Sequence, residues 1–171
     1  TRDWSSDVCS SDLTHASASA PRPTVFDPAL LERIGERQFE ALVECLFRQA
    51  GFETRCERRD GQTGSDILLF SRHQPGEPVA LVQCQHTPGM RTGSDWVRRL
   101  RSRVASRKAW RGQFVTSSTF SSRAIALARR SRIHLIDGRE LLALIDRRTA
   151  QQQAELLNAA QLRPAPRPAP A

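Results

Sequence analysis

Between Pro28 and Arg148 short apolar runs alternate with amphipathic stretches. Ile34, Phe39, Leu42, Val43, Leu46, Phe47 and Ala50 recur at helical spacing and stop at Gly51, which predicts a first helix with one buried face. Phe52 to Cys56 has the make-up of a short strand. After the polar turn Gly61-Gln62-Thr63-Gly64, Asp66 to Phe70 is a compact apolar run, and Pro75-Gly76 turns the chain into Val79 to Gln85. These two runs have the character of adjacent central strands. Asp95 to Lys108 carries Val97, Leu100 and Val104 on one side among arginines, as an amphipathic helix lying on a sheet does. Gln113 to Thr116 is a strand, Ser121 to Arg130 a helix capped by Ser121, and Ile133 to Ile136 another strand. Asp137 then caps a last helix whose Leu141, Leu142 and Ile145 face inward. The order α, β, β, β, α, β, α, β, α predicts an α/β fold, a mixed central β-sheet flanked by helices, and excludes a bundle or an all-β sandwich.

The pattern fails at both ends. Residues 1–13 show no period and lack the charged start and apolar stretch of a secretory signal; they resemble a translated sequencing-library adapter and read as a cloning scar. Residues 14–27 form an Ala/Ser/Pro-rich linker, and 149–171 a Gln/Ala-rich then Pro/Ala-rich tail, which leaves one domain over 28–148.

Composition narrows the class. With 171 residues, 39% hydrophobic and 26% charged, the chain suits one globular domain that folds without disulfides or a structural metal, and no run of 18 apolar residues spans a membrane. The net charge is +8, with Lys108 the single lysine; setting residues 1–13 aside removes Arg2 and three aspartates and leaves 25 basic against 15 acidic residues. Such an arginine excess favours polyanionic partners, although a high-GC genome would also spell basic positions as arginine. With Cys9 set aside among residues 1–13, Cys45, Cys56 and Cys84 form no C-x-x-C pair and have no histidine at finger-like spacing, which supports neither a zinc site nor a disulfide framework and suits a reducing cytoplasm.

Strand alternation puts Leu81, Gln83 and Gln85 on one face and Val82 and Cys84 on the other, so two amides lie side by side next to Asp66. An unpaired buried amide costs about 1–3 kcal/mol, so two on one face of a buried strand call for a reason. Glu40 lies at the edge of the first helix's apolar face, from which it could point along the sheet toward Asp66. From Arg91 to Arg111, Arg91, Arg98, Arg99, Arg101, Arg103, Arg107, Lys108 and Arg111 face a single acid, Asp95. Such density repels itself unless a counterion is present, and a DNA backbone supplies one. Trp96, Trp110, Arg129, Arg130 and Arg132 extend the surface; the competing reading is a solvated face whose arginine stems cover apolar surface.

Several in-order segments resemble the Mrr-like type IV restriction endonucleases of the PD-(D/E)xK nuclease superfamily. They are Gln38-Phe39-Glu40-Ala41-Leu42-Val43, Ala50-Gly51-Phe52, Gly64-Ser65-Asp66-Ile67-Leu68, Leu81-Val82-Gln83-Cys84-Gln85-His86, Gly112-Gln113-Phe114-Val115-Thr116-Ser117, Phe120-Ser121-Ser122-Arg123-Ala124 and Leu135-Ile136-Asp137-Gly138-Arg139-Glu140-Leu141. The resemblance implies a restriction-endonuclease-like core acting on double-stranded DNA, with Mg²⁺ (or Mn²⁺) held by Glu40, Asp66 and Gln83. It makes Asp66, Gln83 and Gln85 the catalytic positions, but the family's lysine is here Gln85, which carries no charge to activate water. His86 is sent to the opposite face by alternation, and Lys108 lies at the far end of the arginine helix, so neither is a ready substitute. Without the family context, Asp66 and Glu40 would read as salt-bridge partners for the arginines. DNA contact is expected at Arg98, Arg99, Arg101, Arg103, Arg107 and Lys108. Two functions follow: a cytoplasmic Mg²⁺-dependent restriction endonuclease, or an inactive DNA-binding pseudonuclease or targeting module. A protein-interaction domain without a nucleic-acid partner is a third class, and a homodimer is left open.

Overall fold

The structure, a computed structural model, describes residues 26–58, 65–73 and 76–161. The adapter-like segment, the linker up to residue 25, the Gly61–Gly64 turn, Pro75 and the tail beyond 161 lie outside the described residues. The elements run α1 (Pro28–Arg33), α2 (Glu36–Gln49), β1 (Phe52–Arg58), β2 (Ser65–Ser71), β3 (Ala80–Gln85), α3 (Ser94–Ser106), β4 (Arg111–Thr116), α4 (Ser122–Arg129), β5 (Ile133–Ile136), α5 (Gly138–Asp146) and α6 (Ala150–Gln161).

The five strands form one mixed sheet in the order β1-β2-β3-β4-β5. β1, β2 and β3 are antiparallel neighbours, while β3, β4 and β5 are parallel and joined through α3 and α4. Alternation along the central strands feeds two separate cores. Ile67, Leu69, Val82, Cys84 and Val115 pack under α1, α2, α5 and α6, and Leu68, Leu81 and Phe114 pack under α3 and α4. Coverage of both faces explains why β2 and β3 read as continuous apolar runs and not as alternating strands.

Two expectations change. The first helix expected from Ile34 is α2, which starts at Glu36, and a short unexpected helix, α1, precedes it and ends at Ile34, whose ψ of 152° is extended; Asp27 caps α1 by accepting from the Leu30 N–H at 2.6 Å, and Gly35 starts α2 by donating its N–H to Gln38 Oε1 at 2.7 Å. Gly51, at φ +94°, then ends α2 in the left-handed conformation that favours glycine. The expected Gln/Ala-rich tail contains a packed helix: in α6, Leu156 and Ala160 are fully buried, and Gln49 Nε2 on α2 donates to the Gln152 carbonyl at 3.0 Å and to Glu155 Oε2 at 3.1 Å. One leucine and two alanines, i, i+3 and i+4, form a stripe too weakly apolar to register as periodicity, yet they fit closely against α2. Likewise Phe26, within the expected linker, is buried in the α2-side core.

Candidate functional site

The buried polar residues among those described are Ser65, Asp66, Gln83, Thr92 and Thr116, and they gather at one end of the sheet. Register explains the grouping. Asp66 on β2 lies opposite Gln83 on β3, and Gln85 lies opposite Thr116 on β4. Thr92, just before α3, reaches Thr116 hydroxyl to hydroxyl at 3.4 Å. Nearby, the buried Ser65 Oγ, Gln83 Nε2, Gln85 Oε1 and Ser117 Oγ have no hydrogen-bond partner among the described residues. Buried polar atoms are almost always paired, so orphans concentrated at one sheet end mark a place built for something other than stability.

Asp66, Gln83 and Gln85 therefore come together as the sequence predicts, on the α3 face. Arg103 joins them. From α3 its Nη1 lies 2.8 Å from Asp66 Oδ1, and its Nη2 donates to Gln83 Oε1 at 2.7 Å. The Asp66 side chain is only 6% exposed and that of Arg103 22%, so this is a largely desolvated ion pair. One turn further along α3, Arg107 Nη2 lies 2.5 Å from Glu57 Oε2, and Glu57 is the β1 register partner of Asp66. Two arginines spaced i, i+4 thus meet two acids paired across β1 and β2. Sequence reading groups Arg103 and Arg107 with the DNA-facing arginines; the usable signal is their place beside the Val97, Leu100 and Val104 stripe that packs on the sheet. Ser65, Thr92 and Thr116 carry no comparable signal, because nothing in their local pattern announces burial.

Glu40 lies on the other side. Its helix packs on the sheet face opposite Asp66, and the charges of Glu44 and Glu40 reach the Cys56 thiol, whose register partner Ile67 lies on that face. Desolvation of that thiol, followed by its hydrogen bond to Glu44, pushes Cys56 up to about 12. Glu44 also accepts from the Thr54 hydroxyl at 2.7 Å. Among the described residues no group of three or more His, Cys, Asp or Glu comes together to hold a metal ion. The oxygens a divalent ion would take from Asp66 and Gln83 already face the Arg103 guanidinium, and in this arrangement the residues do not fit the metal that the family implies.

The alternative cations lie elsewhere, His86 on the opposite face as strand alternation implies and Lys108 beyond the end of α3. His86 packs on Phe39 of α2 with ring centroids 5.2 Å apart, and burial lowers its pKa against smaller raising effects from the Ile34 backbone and Glu36. Lys108 sits 3.8 Å from Glu77, both exposed. On the outer side of α3, Arg98, Arg99 and Arg101 are exposed, Arg98 paired with Asp95 at 2.6 Å and Arg99 lying over the Trp96 ring at 5.2 Å. At the opposite end of the sheet a cleft of about 800 Å³ gathers Trp110, Arg111, Arg129, Arg132 and His134, away from the polar cluster.

Comparisons with known proteins agree with this architecture. The Mrr_cat family model, described as restriction endonuclease, matches residues 31–145. No curated protein matches the chain in sequence. Among solved structures, the MspJI restriction endonuclease in complex with a 27-mer oligonucleotide aligns with a TM-score of 0.51 and 21% identity, covering 77% of this chain and 33% of its own. The DNA modification-dependent restriction endonuclease AspBHI aligns at 0.43 and 18%, covering 82% and 44%, and EndoMS in apo form at 0.44 and 19%, covering 57% and 44%. The chain thus spans about a third of the MspJI chain. With the family model covering the whole sheet and the helices α2 to α4 and most of α5, the chain belongs to the Mrr-type restriction endonuclease family.

Proposed function

We propose that this domain binds double-stranded DNA through α3 in the cytoplasm and is silent, or nearly so, in phosphodiester hydrolysis. The division of labour among the α3 arginines carries the reading: Arg98, Arg99 and Arg101 face solvent, while Arg103 clasps Asp66 and Gln83. Solvent-facing guanidiniums suit phosphate contact, because each contact releases condensed counterions and guanidinium matches phosphate bidentately. They position a protein on DNA without reading bases, so no strong sequence preference is expected. Silence follows from Gln85, which can neither donate a charge to a developing oxyanion nor hold a hydroxide.

Duplex binding measured by fluorescence anisotropy should weaken steeply with salt. Reversal of Arg98, Arg99 and Arg101 to Glu should remove it, and single neutral replacements should each lower the log–log salt slope by about 0.9. Retention unchanged in the triple variant would move the footprint off α3. A second reading, a working Mg²⁺-dependent endonuclease, draws on the family and on the convergence of Asp66 and Gln83 on one cation. Mg²⁺-dependent plasmid nicking by the unmodified protein, lost on Asp66→Ala, would establish it in place of silence.

A further inference from the structure

We propose that Arg103 is a tethered cation standing where a divalent ion would sit, and that it closes the Asp66–Gln83 pair to metal. This deepens the silent reading above. The guanidinium engages one oxygen of each residue, at 2.8 Å and 2.7 Å, with a different nitrogen for each. Nη2 donates to Gln83 while Nη1 stands in ion-pair contact with Asp66, so a positive charge fills the space beside both oxygens that a metal would need.

Charge favours the arginine. Gln83 offers a neutral carbonyl, so the pair carries one negative charge, which one guanidinium balances. A Mg²⁺ ion drawn to the same pair would have to displace a guanidinium already held on the chain, and among the described residues no third His, Cys, Asp or Glu forms a metal-holding group with the pair to favour the exchange. Arg103 needs no recruitment from solution. Its helix is packed on the sheet through Val97 and Leu100 and pinned one turn on by Arg107 to Glu57. The same arrangement accounts for Gln85. That residue lies two positions beyond Gln83 on the same face, roughly 6–7 Å along the strand, and a lysine there would bring a second positive charge to a pair that holds one carboxylate. A neutral amide at position 85 is what an arginine arriving from α3 permits.

The test is Mn²⁺ binding by calorimetry without DNA, on the full chain. The wild type should show no saturable binding up to the millimolar range. Arg103→Gln, which keeps a polar side chain but no charge, should gain saturable binding at least tenfold tighter, and adding Asp66→Asn should abolish the gain. Arg103→Lys, which keeps the cation, should stay closed. Saturable wild-type binding that Asp66→Asn removes would overturn the proposal, as would Arg103→Gln binding no better than wild type. Should Arg103→Gln fail to fold, paramagnetic broadening decides on the wild type alone. Amide signals of Asp66 and Gln83 that stay sharp in Mn²⁺ uphold the exclusion, and their selective loss refutes it. Duplex binding by the same preparations reports separately on the DNA-binding reading, so metal uptake with DNA retention intact would sink only the role of Arg103.

Discussion

At the residue scale the decisive object is one buried carboxylate and the cation that answers it. Removing one member of a desolvated ion pair strands the other, at about 3–5 kcal/mol for a fully buried pair. Arg103→Ala should cost more stability in urea unfolding than Asp66→Ala, because it takes this guanidinium from a carboxylate that is only 6% exposed, whereas Arg103, already 22% exposed, can turn to water. The double variant should cost less than the sum, which a double-mutant cycle measures directly. His86 gives a second prediction. Its folded-state pKa is depressed by burial, so the neutral ring contributes stability that is present above the ordinary value of 6.5 and lost as pH falls through the folded value. Midpoints measured at pH 7 and pH 5 should therefore fall further for the wild type than for His86→Gln.

At the scale of elements the tightest fits are made by glycine. Gly138 opens α5 beneath the loop after β4, and a Cβ there would stand 2.5 Å from the Ser117 carbonyl oxygen and 3.1 Å from its carbon. Backbone cannot yield as a side-chain tip can, so Gly138→Ala should cost about 1–3 kcal/mol by overpacking. The loss should appear as a lower urea midpoint with an unchanged slope. The region matters beyond stability, because Ser117 follows Thr116 at the polar end of the sheet and its N–H lies 3.4 Å from the Gln85 carbonyl. α3 shows how one helix serves two purposes. Its inner arginines are fixed to β1 and β2, and its outer ones remain in solvent, so the helix is held at a set angle while it presents charge.

At the scale of the whole molecule, two cores on either face of one sheet make the outermost helices more than decoration. α6 supplies Leu156, Ala159 and Ala160 to the core that also holds α2, β2 and β3. Leu156→Ala should lower stability by about 2–5 kcal/mol, the range for a fully buried leucine. Truncation after Arg148 should broaden or abolish the cooperative transition seen by circular dichroism. An untouched transition would show that α6 only rests on the core. No helix among the described residues is long and apolar enough to cross a membrane.

The sequence by itself determined the sheet and the helices α2 to α5, because periodicity and capping residues are local signals: Ser121 caps α4 and Asp137 caps α5 where their positions imply. It also determined that Asp66, Gln83 and Gln85 share a face, since strand parity needs no tertiary information beyond pairing. Only the tertiary structure decided which cation meets them. Arg103 is twenty residues from Gln83, and although helical phase sets it beside the apolar stripe of α3, only the packing of α3 on the sheet decides which acid and amide it meets. The position of Glu40 was decided in the same way. Helical phase places it at the edge of an apolar stripe, but α2 packs against one face of the sheet while Asp66 projects from the other. α6 stayed hidden for a related reason, since three small or medium apolar residues acquire meaning only when α2 stands opposite to receive them.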